Sequence, residues 1–244
     1  MKSKTAFITG ASHGIGRAIA EEFALAGYSL AINCKTSAAE LEDLARRLHQ
    51  ACHVPCIPLV GDISDEGFVS EAFQAIEQEF GMADVLINNA GISHVGLLSD
   101  MSLLEWNQVI QVNLTSLFCC CKHAIPAMVQ RKSGVIINIS SVWGNVGASC
   151  EVAYSASKGG VNAFTKALAK ELAPSGISVN AIACGAIDTR MNHCFSQEER
   201  MQLAEEIPLG RLGAPQEVAR LALSVACAPQ YMTGQIITLD GGWQ

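Results

Sequence analysis

Short apolar runs rich in branched residues alternate with amphipathic segments along the whole chain, and this alternation most constrains the fold. Gly, Asn, Asp or Ser closes each run, as is common where a strand ends. Strands that alternate with helices form parallel sheets through right-handed crossovers. Most runs are apolar throughout, which is typical of strands buried on both faces. The pattern predicts an α/β chain with a doubly wound, Rossmann-type sheet.

The runs also locate the elements. Strands are expected near Thr5–Thr9, Ser29–Cys34, Val54–Val60, Val85–Asn88, Val135–Ser140, Ser178–Ala183 and Gln235–Leu239. Helices are expected near Ile15–Ala26, Ala38–Cys52, Asp65–Phe80, Leu103–Arg131, Val152–Ala173 and Pro215–Ala228. Residues 1–244 then form a single domain with about seven parallel strands and helices on both faces. We also expect a small lid around residues 190–210.

The composition excludes several classes of protein. Hydrophobic residues make up 50% of the chain and charged residues 16%, far from the composition of disordered chains. The net charge is −7 and the basic residues are scattered, so we expect no nucleic-acid partner. The first apolar segment is too short for a signal peptide, and no stretch predicts a membrane span. We therefore expect a cytoplasmic protein with reduced cysteines and no membrane partner.

A glycine-rich turn follows the first strand and opens a helix: Gly10, Ser12, His13, Gly14 and Gly16 belong to it. Glycines let the backbone turn tightly and approach a pyrophosphate, while the start of the helix offers unpaired N–H groups and a positive dipole. The same composition also occurs where a helix merely packs on a strand. The turn alone is therefore a weak indication of a nucleotide site.

Tyr154 and Lys158 lie four residues apart at the start of a predicted helix, on one face of it. A phenol exchanges protons slowly near neutrality, and a nearby ammonium lowers its pKa by stabilising the phenolate. Ser141 follows at the carboxyl end of the fifth strand, where ligand-binding residues of open α/β sheets gather. Ser140 competes with Ser141 for that position, and the spacing favours Ser141.

These motifs together resemble the short-chain dehydrogenase/reductase family across nearly the whole chain. The glycine spacing is Gly-x3-Gly-x-Gly, Asp62 follows the third strand, and the segment 88–91 reads Asn-Asn-Ala-Gly. Tyr154 and Lys158 match the family's Tyr-x3-Lys, and residues 233–243 match its closing segment. The resemblance implies that Tyr154 protonates a carbonyl oxygen that Ser141 orients. Lys158 would hold the nicotinamide ribose and tune Tyr154.

The resemblance also assigns Asn113 to the position that bends a helix and passes a water to the catalytic lysine. It implies a nicotinamide cofactor bound by Gly10, Ser12, His13, Gly14, Ile15, Gly16, Lys35, Asp62, Ile63, Asn89, Ala90, Gly91, Tyr154, Lys158, Gly185, Ile187 and Thr189. Cys184 stands before Gly185 where the family has proline, which we expect to loosen that turn without abolishing binding.

The end of the second strand indicates which nicotinamide cofactor is used. Enzymes that use NAD usually carry an acid there, whereas this strand ends at Cys34 and Lys35. This favours NADP, as NADPH, and leaves NAD open. Two features argue against NADP. Lys35 can also be interpreted as an ordinary solvated loop residue, and His13 occupies the position where NADPH-dependent relatives often carry Arg.

The substrate is expected to be a ketone, with Ser141, Trp143 and Glu151 as its contacts. The pattern is most like 3-oxoacyl-acyl-carrier-protein reductases, although their basic docking residues are reduced here to Arg131-Lys132, with Ser175 where many carry Arg. The segment from residue 140 to 154 also looks like reductases of 5-aminopentanone-modified elongation factor P. The ketone would in either case be carried on a protein. Steroid or sugar dehydrogenases and a non-enzymatic cofactor-binding scaffold or sensor remain as alternatives.

Glu151 has two interpretations. As an acid at a helix start it is stabilised by the helix dipole. As a carboxylate beside a desolvated pocket it would receive a substrate cation, such as the amine of an aminopentanone.

Other features predict packing. His49, Cys52, His53 and Cys56 have metal-like spacing but lie at a helix end and a strand start, so no metal is expected. The run Cys119-Cys120-Cys121 on the long fourth helix is interpreted as apolar filling. The resemblance implies a homotetramer, in keeping with an apolar run, Leu114, Leu117 and Phe118, that a monomer would partly expose.

Overall fold

A computed structural model describes residues 3–191 and 196–244 of the chain. In this part of the chain seven parallel strands form one sheet in the order β3-β2-β1-β4-β5-β6-β7. The strands are β1 (Thr5–Ile8), β2 (Ser29–Cys34), β3 (Cys56–Val60), β4 (Val85–Asn88), β5 (Gly134–Ser141), β6 (Ile177–Cys184) and β7 (Ile236–Leu239). The predicted doubly wound α/β fold is confirmed.

The helices cover both faces of the sheet. They are α1 (Gly14–Leu25), α2 (Ala38–Cys52), α3 (Glu66–Phe80), α4 (Leu103–Ile110), α5 (Ser116–Arg131), α6 (Trp143–Val146), α7 (Val152–Leu172), α8 (Gln197–Glu206) and α9 (Pro215–Ala226). One apolar core lies under α1, α2 and α9, and the other under α3, α5 and α7. The five inner strands are almost fully buried, which explains their uninterrupted apolar sequences, whereas the edge strands β3 and β7 are partly exposed.

The order of the strands fixes where a site can form. Chain order reverses between β1 and β4, which pair in parallel through Ala6–Ile8 and Val85–Ile87. Loops that leave the carboxyl ends of these two strands turn to opposite sides and leave a crevice between them. The glycine turn after β1 and the Asn-Asn-Ala-Gly segment after β4 therefore meet at one edge of the sheet, about eighty residues apart in sequence.

The long fourth helix differs from its prediction. A π-helical turn, Gln111–Thr115, separates α4 from α5. The stretch Leu103–Arg131 is long and apolar enough for a membrane span by length and composition alone. Its inner residues, including all three consecutive cysteines, are buried in the second core, as in the core helix of a folded domain.

Smaller differences have local causes. β3 begins at Cys56 and not at Val54, because Pro55 lacks an N–H to donate, although its carbonyl accepts from Leu30. The predicted lid region, 190–210, contains α8, which begins with a capping box between Ser196 and Glu199. Residues 192–195 of that region lie outside the described residues, and the lid stays a prediction.

Candidate active site

A cavity of about 590 Å³ opens at the carboxyl edge of the sheet, in the crevice between β1 and β4. It brings together nearly all the residues that the sequence assigns to a site. They are Gly10, Ser12, His13, Gly14, Ile15, Lys35, Asp62, Ile63, Asn89, Ala90, Gly91, Ser141, Trp143, Glu151, Tyr154, Lys158, Gly185, Ile187 and Thr189. The two exceptions are Gly16 and Asn113, which lie behind its wall.

The glycine turn has the shape that a dinucleotide requires. A Cβ atom on Gly16 would overlap the carbonyl oxygen of Gly10 and the amide of Asn89, so the start of α1 packs against the turn without any side chain between them. Gly10 has φ +64°, in the left-handed region that favours glycine. These residues leave the first N–H groups of α1 facing the cavity, where a pyrophosphate would bind. The residues present therefore fit the nicotinamide cofactor that the motifs imply.

Asn89 holds the glycine turn in place. Its side-chain amide donates to the carbonyl oxygens of Thr9 at 2.8 Å and Gly10 at 3.0 Å. The Thr9 hydroxyl in turn accepts from the backbone N–H groups of Asn89 and Ala90, both at 3.0 Å. Because these bonds use the donors of the Asn89 side chain, Asn89 shapes the cavity wall by holding the backbone of the glycine turn.

Lys35 lies at the far end of the cavity and is paired with Asp62, Nζ to Oδ2 at 2.6 Å. Burial opposes ionisation of Asp62, but hydrogen bonds from Lys35 and Ser64 outweigh it and lower the pKa of Asp62. Lys35 is 59% exposed, so its ammonium can still reach a ligand. Lys35 is thus held by an ion pair with Asp62 and is still exposed at the cavity.

Tyr154, Ser141 and Lys158 meet in the middle of the cavity. Nζ of Lys158 lies 5.7 Å from the centre of the Tyr154 ring and donates to the carbonyl oxygen of Ile139 at 2.8 Å. Burial raises the pKa of Tyr154 above its usual range, while the nearby Ser141 hydroxyl opposes that rise. Burial also lowers the pKa of Lys158 to about 8. At neutral pH the tyrosine is therefore a neutral phenol beside a lysine that is largely charged.

Ser140 and Ser141 have different surroundings. Both line the cavity, but the Ser140 hydroxyl is used in a hydrogen bond that it donates to Oδ1 of Asn162 at 2.6 Å. Ser141 interacts with Tyr154, and its Oγ accepts from the backbone N–H of Trp143 at 3.2 Å. Because the side chains of neighbouring strand residues alternate in direction, the two hydroxyls have different partners.

Asn113 lies in the π turn, 2% exposed, beneath the catalytic cluster. Its Oδ1 accepts from the backbone N–H of Ile92 at 2.8 Å, and its amide donates to the carbonyl of Ile92 at 2.9 Å and to Oγ of Ser157 at 3.0 Å. Ser157 donates onward to the carbonyl of Tyr154 at 2.7 Å. The widened turn thus connects the loop after β4 to the helix that carries Tyr154 and Lys158. A water passed from Asn113 to Lys158 stays a prediction.

Glu151, Trp143 and Trp243 form the substrate end of the cavity. Glu151 occupies the N-cap position of α7 without a capping hydrogen bond from its side chain. Its carboxylate accepts instead from the Trp143 indole; burial raises the pKa of Glu151, and this hydrogen bond only partly opposes the rise. The Trp143 ring packs against that of Trp243 with centroids 4.8 Å apart. A half-buried carboxylate therefore lies beside two indole rings.

The sequence reasoning did not assign several cavity residues to the site, among them Cys184 as a neighbour of the catalytic groups, Arg190 and Trp243. The 5% exposed Cys184 has a pKa raised by burial to about 12, so it is a neutral thiol. Its strand position, in register with Ser141, could have indicated its place. Nothing in the local sequence indicates the other two, because their neighbours are distant in the chain.

The turn at Cys184-Gly185 is held by backbone hydrogen bonds although it lacks the proline of the family pattern. The N–H of Gly185 donates to Leu239 at 2.9 Å, and Ile187 pairs with Gly213 in an isolated bridge. A Cβ on Gly185 would approach Asp240 within 2.8 Å. Backbone pairing and close packing therefore hold this turn in place, and with it the loop that carries Thr189.

One expectation about surface residues, the position of Arg131, is wrong. Another, that a single chain would partly expose the run with Leu117 and Phe118, agrees with the structure. Arg131 pairs with Asp84 at 3.0 Å just before β4, at the amino edge of the sheet, so the Arg131-Lys132 pair does not lie beside this chain's cavity. Leu117 is only 3% exposed and packs in the second core, whereas Phe118 is 48% exposed. An apolar helix face does persist there, with Leu103 and Leu104 exposed on α4.

The histidines and cysteines near residue 50 serve local structure. Nδ1 of His49 lies 3.0 Å from the carbonyl oxygen of Val54, and His53 ends α2 in the left-handed conformation. Burial raises the pKa of Cys56 to about 12. Among residues 3–191 and 196–244, no group of three His, Cys, Asp or Glu side chains converges as a metal site.

Comparison with known proteins agrees with this geometry. Residues 4–200 match the family model described as short chain dehydrogenase. The chain is 42% identical to the oxidoreductase YmfI of Bacillus subtilis over 242 residues, covering 99% of both chains. It is 39% identical to the 3-oxoacyl-[acyl-carrier-protein] reductase FabG of Aquifex aeolicus over 243 residues, covering 99% and 98%.

A solved structure extends the comparison. The 3-oxoacyl-[acyl-carrier protein] reductase of Brucella melitensis superposes with a TM-score of 0.93 at 34% identity, covering all of this chain and 92% of the other. The match spans the sheet, both helical layers and the cavity. The chain therefore belongs to the short-chain dehydrogenase family and is an oxidoreductase.

Proposed function

We propose that the protein is an NADPH-dependent reductase that converts a ketone to a secondary alcohol, with a 3-oxoacyl thioester on acyl carrier protein as the first candidate substrate. The observation that carries the proposal is the meeting of Ser141, Tyr154 and Lys158 in a cavity with a glycine turn shaped for a dinucleotide. Similarity to FabG proteins supports the substrate class.

The chain's own groups supply the proton. Ser141 and Tyr154 both donate hydrogen bonds to the carbonyl oxygen of the ketone, which polarises the C=O bond. When bound, NADPH supplies the hydride for the carbonyl carbon. Tyr154, neutral because burial raises its pKa, gives its proton to the oxygen and becomes a phenolate. The ammonium of Lys158 stabilises that phenolate.

The same residues provide the binding geometry. The glycine turn and the start of α1 would hold the pyrophosphate, and Lys35 would meet the 2′-phosphate. The loop of Ile187 and Thr189 would border the nicotinamide. The π turn at Asn113 fixes α7 against the loop after β4, so Tyr154 and Lys158 keep their places relative to the cofactor.

The test is NADPH oxidation by the purified protein with acetoacetyl thioesters and a panel of small ketones. Tyr154→Phe removes the proton donor but keeps the aromatic ring and leaves the other cofactor-binding residues in place, so we expect loss of ketone reduction with nearly unchanged NADPH affinity in a fluorescence titration. A Tyr154→Phe enzyme that keeps most of its kcat would overturn the assignment. Wild-type protein that binds NADPH but oxidises it with no ketone would favour the non-enzymatic scaffold.

A second candidate substrate is the 5-aminopentanone modification of elongation factor P, favoured by Glu151. The half-buried Glu151 carboxylate makes no helix-capping bond, and it lies at the substrate end beside Trp143. An ammonium on the substrate would offset its burial. The helix α8 also exposes several carboxylates on the lid side, Glu198, Glu199, Glu205 and Glu206, which do not complement an acidic acyl carrier.

The two candidates differ in how they respond to Glu151→Gln. If Glu151 receives an amine, this substitution lowers kcat/KM for an amino ketone far more than for a neutral ketone of similar size. Equal effects on both substrates would favour the 3-oxoacyl thioester on acyl carrier protein as the substrate. NADPH affinity, which does not involve Glu151, serves as the control for folding.

A further inference from the structure

The loop after β6 lies directly over the start of α1. A Cβ atom on Gly14 would come within 3.3 Å of Cγ2 of Thr189, so the two segments are in near contact. Arg190 follows Thr189 and lines the cavity together with His13. The loop therefore carries a guanidinium to the side of the cavity opposite the N–H groups of α1.

Arg190 and His13 line the same cavity, and the charge of Arg190 acts on the imidazole. Burial lowers the pKa of His13, the positive charge of Arg190 lowers it further, and Glu40 opposes the shift. Nδ1 of His13 lies 2.8 Å from Oγ of Ser12, which fixes the ring at the edge of the glycine turn. Arg190 and His13 thus line the same cavity, and the lowered pKa of His13 favours its neutral imidazole.

Arg190 has no carboxylate partner in the described ranges, 3–191 and 196–244. Nearby arginines are paired: Arg17 bonds Glu21 at 3.0 Å, and Arg200 bonds Asp188 at 2.5 Å. An arginine left unpaired at the edge of a cavity is available for an anionic ligand, which it can bind through two parallel N–H bonds.

We propose that Arg190 binds the pyrophosphate of the dinucleotide, closing over it from the loop after β6 while the start of α1 holds it from below. The inference rests on the proposed nicotinamide cofactor. It concerns the pyrophosphate rather than the 2′-phosphate because Thr189, the preceding residue, contacts Gly14 at the start of α1. Lys35, the candidate for the 2′-phosphate, is paired with Asp62 at the far end of the cavity.

The test is a calorimetric titration of wild type and Arg190→Gln with NADP⁺ and with NAD⁺. We expect Arg190→Gln to weaken both by a similar factor of about ten, the effect of one charge-assisted contact. Arg190→Lys, which keeps the charge but not the fork, should recover part of the loss. Arg220→Gln is the matched control, because Arg220 is also exposed and unpaired in the described residues but lies on α9 away from the cavity.

The outcomes separate the proposals. Unchanged affinity for both dinucleotides would overturn the role of Arg190, and a loss confined to NADP⁺ would assign it to the 2′-phosphate instead. A wild-type protein that binds both dinucleotides but reduces no ketone would refute the proposed activity and leave the Arg190 proposal standing. A wild-type protein that binds neither dinucleotide would refute both. Equal melting temperatures of the ligand-free variants exclude a folding defect.

Discussion

The ammonium of Lys158 lies 5.7 Å from the centre of the Tyr154 ring, and burial lowers the pKa of that ammonium to about 8. The phenol responds to burial in the opposite direction, since its charged form is the anion. Burial therefore shifts each group towards its neutral form. Above about pH 8, a ligand that prefers the charged lysine binds with uptake of a proton by Lys158.

This relationship predicts how NADPH affinity depends on pH. Below about pH 8 Lys158 is already protonated, so affinity is flat; above it, binding requires proton uptake and the Kd rises by up to about tenfold per pH unit. Fluorescence titrations from about pH 7 to about pH 10 measure this. Lys158→Met should bind more weakly with no inflection. A wild-type Kd that stays constant across the range would contradict the assignment.

The Lys35–Asp62 pair predicts cofactor preference. Lys35→Asp would place two carboxylates together, so Lys35→Gln is the cleaner change. If the ammonium meets a 2′-phosphate, Lys35→Gln lowers kcat/KM for NADPH by about tenfold and leaves that for NADH nearly unchanged. Lys170→Gln, on the exposed side of α7, is the control. A wild-type preference for NADH would refute the role of Lys35.

The π turn predicts a stability effect. Asn113→Ala removes the partner of the N–H and C=O groups of Ile92 and the hydrogen bond that the Ser157 hydroxyl accepts. We expect a loss of about 3 kcal/mol in the free energy of unfolding. Denaturant unfolding measures it. Asn107→Ala, on the exposed face of α4, should change stability by less than about 0.5 kcal/mol. Equal effects of the two changes would show that the Asn113 network contributes little.

The exposed face of α4 and α5 predicts assembly. Leu103, Leu104 and Phe118 remain exposed in the single chain, and a homotetramer would cover such a face. Light scattering should give about four times the chain mass of 25.8 kDa at micromolar concentration. Phe118→Glu should lower that mass while leaving the secondary structure intact. A wild-type mass equal to one chain would disprove the tetramer.

The fold was largely predictable because its elements have strong local signals. Buried strands such as Ser29–Cys34 read as continuous apolar runs, and the bounds of α2 match their prediction. The π turn was not predictable from periodicity, since Gln111–Thr115 keeps helical spacing and only the tertiary bonds of Asn113 widen it. The short helix α6 has too few residues to show a period.

The candidate site was predictable only where residues stand in fixed spacing. The glycine turn and the Tyr154–Lys158 pair belong to single segments, so the sequence displays them directly. Arg190 interacts with His13, and Trp243 packs against Trp143; in both cases the partner is more than ninety residues away in the sequence. The position of Arg131 was misjudged for the same reason, because the direction of α5 decides which edge of the sheet its end reaches.

The contact between Trp143 and Trp243 also gives the protein an optical reporter. Two of its three tryptophans border the cavity, and their rings lie 4.8 Å apart. Emission from these indoles overlaps the absorption of a reduced nicotinamide, so occupancy of the site should quench the intrinsic fluorescence by energy transfer. Trp106, on α4, would supply the background signal. Ligand binding can thus be followed in the unlabelled protein, and Trp243→Phe would distinguish events at the substrate end from events at the glycine turn.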